Sequence, residues 1–307
     1  MTGDKRFLVS PDAAAFIGYA DTGSSLISKG DPVGDHQQGL DLIWKLRETA
    51  DRLGKQCAFY AVWDEFLPTY LDMGCLILKI GEVARVPLAE FTLDGSGKKD
   101  FRQARARAAR EGYKFEIIPA ADLESILSQL RLISDAWLDI KNGEEKAFAL
   151  GRFDETYLRN FDHAILRHSE TGRIVAFANL FQTADHHELS LDLMRHDPAG
   201  PSFAMDALFG ELLVWGHEQQ FEWFSLGAAP FAGLQSNRYA STWNRIGNYL
   251  YEHGDRFYHF EGLRSFKQKF DPVWSPNYLA LPRGASAPKI LLEVNGLVSG
   301  GMRGLLK

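Results

Sequence analysis

From Glu188 to Leu193 the chain alternates polar and apolar residues, the period of a strand with one buried face. Leu189, Leu191 and Leu193 are expected on one side, with Glu188, Ser190 and Asp192 on the other. Asp192 and Arg195 then lie on opposite faces unless the strand ends or bulges between them. Before this stretch the pattern predicts a strand at 6–9 and another within 24–34, closed by turn chemistry at Gly30-Asp-Pro and Gly34. Leu42, Ile43, Leu46, Ala50 and Leu53 have amphipathic-helix spacing and stop at Gly54. A buried strand follows at 56–63, a short helix at 65–73, and two strands at 76–80 and 84–88 around a Gly81 turn. Phe101, Ala104 and Ala108 give a narrow apolar stripe to a helix over 98–111, ended by Gly112.

A second series begins with a strand at 113–118. Leu123, Ile126, Leu127, Leu130 and Ile133 face inward on a helix over 121–138. A loop at 141–146, a strand at 148–151 and a short helix near 154–160 come next. Strands at 164–167 and 174–180 pair across a Glu170-Thr-Gly172 turn, and the sheet continues through 183–187 into the alternating stretch. After the break at His196–Pro201, Ser202 is the expected N-cap of a helix buried through Met205, Leu208, Phe209, Leu212 and Leu213. A strand at 221–226, a helix at 249–260 and a strand ending at Leu281 complete the series. The shared strand–helix–strand rhythm predicts a duplicated α/β unit.

With 307 residues, the chain has room for two domains. No run of about 18 apolar residues occurs, so no spanning helix is expected, and the N-terminus has no apolar core that reads as a signal peptide. Cys57 and Cys75 sit in apolar surroundings and read as reduced core residues. The net charge of −6 argues against indiscriminate nucleic-acid binding. Two basic zones interrupt it: Lys98, Lys99, Arg102, Arg105, Arg107, Arg110 and Lys114 in one, and Arg283, Lys289, Arg303 and Lys307 in the other. Such zones on an acidic protein point to contact with something anionic. The helix over 98–111 is either a solvated charged helix or a phosphate-contacting one, gripping backbone without reading bases.

The residues exclude several chemistries. His186 and His187 are neighbours on an extended segment with no third ligand at helical spacing, so a hairpin tip is expected and no metal site. The glycines at 81, 95 and 97 make neither a Walker loop nor a dinucleotide fingerprint. No covalent nucleophile has a placed base. This favours direct transfer between bound substrates. The alternating stretch itself is either a site joining a carboxylate, a hydroxyl and a guanidinium, or a half-exposed strand with a surface ion pair.

Five blocks occur in order: Phe148-Ala-Leu-Gly151, Ile174-Val-Ala-Phe-Ala-Asn179, Glu188-Leu-Ser-Leu-Asp-Leu-Met-Arg195, Gly227-Ala-Ala-Pro-Phe-Ala-Gly-Leu234, and Gly262-Leu-Arg-Ser-Phe-Lys-Gln-Lys-Phe-Asp-Pro-Val-Trp274. Together they resemble the cytosolic catalytic domain of the MprF-type phosphatidylglycerol lysyltransferases, most strongly between Lys98 and Leu281, while Gly30-Asp-Pro-Val-Gly34 fits that family's first half. The resemblance implies an α/β protein of tandem GNAT-like (acetyltransferase-type) folds, with duplicated mixed sheets flanked by helices. The first unit is expected over 1–97, a basic connecting helix over 98–112, the catalytic unit over 113–285 and a C-terminal tail over 286–307. The implied reaction moves an aminoacyl group, most often lysyl, from aminoacyl-tRNA to the glycerol hydroxyl of phosphatidylglycerol, without cofactor or metal. Asp192, Arg195 and Lys267 match positions expected to line that site. Glu188, Ser190, Arg264 and Lys269 are the accompanying substrate-binding candidates, and Lys98, Lys99, Arg102, Arg105, Arg107 and Arg110 become the tRNA-phosphate candidates. The family's membrane-spanning half has no counterpart in this sequence, so lipid translocation is not expected of it. The implied location is peripheral, on the cytoplasmic face of the bacterial inner membrane.

The apolar tail, 290–307, either lies on an anionic bilayer or packs back on the second unit, and its glycines weaken a helical reading. Other enzymes of the class remain open: an alanyl-phosphatidylglycerol synthase, a FemX-like aminoacyltransferase acting on a muropeptide amine, or an acetyl-CoA-dependent GNAT acetyltransferase. Arg195-His-Asp-Pro-Ala-Gly-Pro-Ser stands where acetyltransferases carry a Gly-rich pyrophosphate loop, and it does not fit one. A tRNA- or membrane-binding module without catalysis is the non-enzymatic alternative.

Overall fold

Asp35 opens the first helix, α1 (His36–Arg52), by accepting the Gln38 amide proton, and Leu42, Ile43, Leu46 and Ala50 are its buried face. They pack on strands β1 (Arg6–Val9), β2 (Ala15–Asp21), β3 (Ser25–Lys29) and β5 (Gln56–Val62), with the two-residue β4 (Val33–Gly34) beside β2. The structure, a computed structural model, describes residues 5–141, 151–235, 237–245, 247 and 260–298. The expected loop at 141–146, strand at 148–151 and helix at 249–260 lie almost wholly outside those residues.

Helix α2 (Leu67–Asp72) leads into β6 (Cys75–Pro87), a single long strand where the pattern suggests two around a turn. Gly81 does not turn the chain. It holds φ at 152°, where a Cβ would lie 2.4 Å from the Ala229 carbonyl oxygen, so glycine lets the neighbouring strand approach without ending β6. The second half follows with α3 (Lys99–Arg110), β7 (Tyr113–Ile118), α4 (Leu127–Lys141), α5 (Glu155–Leu158), β8 (His163–His168), β9 (Ile174–Gln182) and β10 (Glu188–His196). Then come α6 (Ala204–Glu218), β11 (Trp223–Pro230), α7 (Phe260–Gln268), β12 (Val273–Pro282) and α8 (Ala287–Val298). Residues 183–187 form the turn between β9 and β10 and do not extend the sheet. Phe203, without a side-chain cap, precedes α6 in place of the expected Ser202.

The two mixed sheets of the duplicated units join edge to edge into one sheet of 12 strands, in the order β1-β2-β3-β5-β12-β6-β11-β10-β9-β8-β7, with β4 off that path. Each unit contains one parallel pair, β3 with β5 and β10 with β11. The last strand among the described residues, β12, enters between β5 and β6, and β6 pairs onward with β11. Helices cover both faces of each half. In the first half α1 and α2 cover one face and α8 the other. In the second, α3 and α6 lie opposite α4 and α5.

The tail departs from expectation. Its described part, as far as Val298, forms a helix, α8, which buries Ala287, Ile290 and Val294 against Ile27, Leu279 and Leu281, on the first half and not the second. Glu293 pins it by accepting hydrogen bonds from Thr22 Oγ1 (2.8 Å) and Ser24 Oγ (2.7 Å). Burial on β12 outweighs the helix-weakening glycine at 296.

Candidate functional site in the notch between β10 and β11

β10 and β11 pair in parallel only from Glu188–Trp223 to Ser190–Ser225. Just beyond, β10 shifts register against β9 between Leu191 and Met194, and β11 shifts against β6 between Ser225 and Gly227. Two strands that leave their common ladder at one level open a notch at their C-terminal ends, where ligands enter open α/β sheets.

Asn179, buried on β9, maintains the β10 bulge: its Oδ1 accepts the Leu193 amide proton at 2.7 Å. The extra residue reverses the alternation. Leu189 and Leu191 face α6, whereas Leu193 packs in the core under α4 and α5, so the three leucines do not share a face. The reversal brings Asp192 and Arg195 to the same side. Asp192 accepts a hydrogen bond from Tyr157 Oη, and Tyr157 is held by Asp154, the cap of α5, which takes its amide proton at 3.0 Å. The carboxylate lies so close over Gly151 that a Cβ there would be 2.3 Å from Oδ2. Arg195 is only 4% exposed; its guanidinium donates to Ser134 Oγ and sits 5.1 Å from the Trp137 ring centroid.

Lys267 reaches the other lip from α7. It is 5% exposed, donates to the Ala228 carbonyl at 2.6 Å, and burial pushes its pKa down to about 8. Lys29, at the end of β3, is a cation that sequence reasoning passed over. Burial lowers its pKa to about 8; Lys5 lowers it further and Asp192 raises it. Asp192 of the second half thus bears electrostatically on Lys29 of the first.

Other candidates have local partners. Glu188 pairs with Arg85 at 2.9 Å, and Arg85 lies 4.6 Å from the Trp223 ring, so Glu188 belongs to the paired part of the ladder. Ser190 sits half-buried at its last rung. Arg264 binds Glu82 at 2.8 Å and stacks on Trp274 at 4.6 Å, tying α7 to β6. Lys269 lies 5.7 Å from the Phe266 ring and, with Gln268, faces Gly95, Ser96, Gly97 and Lys98 across a surface cavity. On α3 much of the charge is engaged. Lys98 donates to the Phe270 carbonyl, Arg102 to the carbonyls of Leu93 and Gly95, Arg105 to Glu211 and Arg107 to Glu111. Lys99 and Arg110 stand exposed. Asn179, Gly151, Tyr157, Ser134 and Trp137 carried no individual signal, because their roles depend on where β10 bulges.

At the Thr183–His187 turn, His186 stacks on Phe221 and His187 Nδ1 lies 3.0 Å from Glu222. Among the described residues no group of three His, Cys, Asp or Glu side chains gathers as a metal set.

The family model described as phosphatidylglycerol lysyltransferase, C-terminal, matches residues 1–281. A phosphatidylglycerol lysyltransferase of Staphylococcus aureus (strain MRSA252) is 32% identical over 293 residues, covering 95% of this chain and 34% of the relative. The chain thus spans about a third of the length of the curated relatives it matches. Among solved structures, the C-terminal domain (DUF2156) of a putative lysylphosphatidylglycerol synthetase from Agrobacterium fabrum is 40% identical, with a TM-score of 0.86 over 99% of this chain and 92% of that one. L-PGS from Bacillus licheniformis is 38% identical, with a TM-score of 0.82 over 97% and 90%. FemX, at 9% identity and a TM-score of 0.58 over 94% and 90%, shares the fold alone.

Proposed function

The chain belongs to the phosphatidylglycerol lysyltransferase C-terminal family, and from that premise we propose that it moves an aminoacyl group, lysyl first, from aminoacyl-tRNA to a glycerol hydroxyl of phosphatidylglycerol. The observation that carries this reading is the β10 bulge, which turns Asp192 and Arg195 to one side of an open notch.

The lipid hydroxyl oxygen attacks the aminoacyl ester carbonyl, the ester bond to the tRNA ribose breaks, and the proton lost by the lipid is regained by the ribose oxygen. One ester replaces another, so the step is close to thermoneutral and juxtaposition supplies much of the acceleration. Asp192 has two candidate roles: acceptor of the lipid hydroxyl proton, or partner of the aminoacyl ammonium group. Lys267 offers a poorly hydrated cation to the developing oxyanion. Arg195, gripped by Ser134 and Trp137, adds positive potential and steadies the strand that carries Asp192. Exposed Lys99 and Arg110 on α3 are the proposed tRNA-phosphate contacts. No helix among the described residues is long and apolar enough to cross a membrane. The proposed meeting place with the lipid is the cytoplasmic face of the inner membrane.

Incubation with mixed charged tRNAs and phosphatidylglycerol vesicles, with lipid products identified by mass, tests the assignment. Lysyl-phosphatidylglycerol is the expected product, and folded Asp192→Asn is expected to lose roughly 100-fold or more of the rate. Full transfer by that variant would remove Asp192 from the reaction. A product formed only on a muropeptide amine would move the chain to the other branch of the fold.

A further inference from the structure

Strand alternation places Ala15, Ile17 and Tyr19 under α1 and turns Phe16, Gly18 and Ala20 to the opposite face. There Val9 pairs with Phe16, Phe16 with Val33, and Phe7 with Gly18. Four large apolar side chains thus lie side by side in solvent: Phe7, Val9, Phe16 and Val33 are 45%, 47%, 39% and 56% exposed. The two phenylalanine rings meet edge to face at 5.7 Å. Gly18 leaves the floor of the strip low, since a Cβ there would touch the Phe7 ring at 3.3 Å and Lys5 at 3.9 Å.

The strip has a charged inner end. Lys29 follows Ser28, the partner of Tyr19, and shares the face of Ile27, which puts it across from Gly18. Its Nζ stands 5.8 Å from the Tyr60 ring centroid. Lys5 borders the same glycine, and the charge of Asp192 in the second half raises the Lys29 pKa. Moving inward, the surface therefore runs from bare hydrocarbon to a pair of lysines, the inner of which Asp192 influences.

A protein partner has no need of that sequence of chemistries, whereas an amphipathic anion matches it end to end. An acyl-bearing tail meets the apolar strip, and an anionic head neutralises a half-buried cation crowded by a second one. We propose that this strip of the first half is the phospholipid subsite. The glycerol–acyl portion lies over Phe7, Val9, Phe16 and Val33, the phosphodiester is bound at Lys29, and the terminal glycerol hydroxyl is delivered to Asp192. The assignment rests on the proposed reaction and adds where the lipid sits and which half of the molecule binds it.

The test uses the full chain and two soluble probes: short-chain diacyl phosphatidylglycerol, and its deacylated glycerophosphoglycerol headgroup. Titration calorimetry is expected to show Lys29→Gln weakening both probes, and Phe16→Ser/Val33→Ser weakening the acylated probe alone, in each case roughly tenfold or more. Circular dichroism and thermal midpoints verify that the variants fold. Wild-type affinity for the acylated probe in both variants, or no binding of that probe to the wild-type chain, overturns the subsite. So does a Phe16→Ser/Val33→Ser effect confined to sedimentation, which would make the strip a contact between copies of the chain. Transfer assays separate this inference from the reaction: a chain that binds lipid here but forms no aminoacyl-lipid defeats the proposed function and leaves the subsite. A chain that transfers with unchanged lipid KM in both variants does the reverse.

Discussion

Lys267 carries a charge into surroundings that penalise it. Its pKa, ordinarily 10.5, falls to about 8 on burial, which amounts to roughly 3 kcal/mol of unfavourable free energy at neutral pH. The sign follows from proton counting. Between pH 8 and 10.5 the unfolded chain holds a proton that the folded chain has released, so stability rises with pH through that window. Below pH 8 both states are protonated and the penalty is constant. Lys267→Met removes it and leaves the Ala228 carbonyl without its donor, a cost of about 1–3 kcal/mol. The variant is therefore expected to melt no lower than the wild-type chain at pH 7, to lose that relative advantage by pH 10, and to lose transfer activity. Calorimetric melts at the two pH values check this, and a markedly lower midpoint at pH 7 would refute it. Gly151 shows the opposite economy: no side chain fits beneath the Asp192 carboxylate, so the residue serves by what it lacks.

At the scale of elements, α3 and β10 show how far a pattern can be trusted. The apolar stripe Phe101, Ala104 and Ala108 is buried as its spacing predicts, against α6. Spacing alone presents the arginines beside it as one phosphate-binding array, yet Arg105 and Arg107 meet glutamates and Arg102 meets carbonyls. Periodicity reports which side of a helix is wet, not which charges already have partners. Lys99 and Arg110 are the better candidates. Replacing both by Ser is expected to weaken tRNA binding and to reduce the slope of log affinity against log salt by about 1 for each phosphate no longer neutralised. Filter binding across a salt series measures it, and an unchanged slope removes α3 from the interface. In β10 the alternation Glu188–Leu193 correctly announces a strand, but Asn179 inserts its carbonyl oxygen at Leu193 and inverts everything after it.

Across the whole molecule, β12 is the element on which both halves depend. It completes the first half by pairing with β5 and β6, although it is reached only after the entire second half has been threaded. α8 then covers the first half's other face. A fragment ending before Val273 would leave β5 and β6 with open edges and expose Ile27, Ile80 and Ala58. Two outcomes are expected: a single cooperative melting transition for the full chain, and an isolated 1–97 fragment that does not fold. Two resolved transitions, or a folded fragment, would show the halves to be independent. The same interlock explains how Lys29 and Asp192, more than 160 positions apart in the chain, come to act on each other.

What the sequence determined alone was local: helices from their 3.6-residue stripes, most strands from alternation or short apolar runs, two repeats of one α/β rhythm, and the ordered blocks that mark the family. These depend on neighbours within a few residues, so one dimension suffices to read them. The tertiary structure decided the rest: that Gly81 lies within a continuous strand, that the tail as far as Val298 packs on the first half, that β10 bulges, and that Asp192 bears on Lys29. Each of these depends on the close approach of groups far apart in the chain, such as Gly81 to Ala229 or Leu193 to Asn179, and no local period encodes such a meeting.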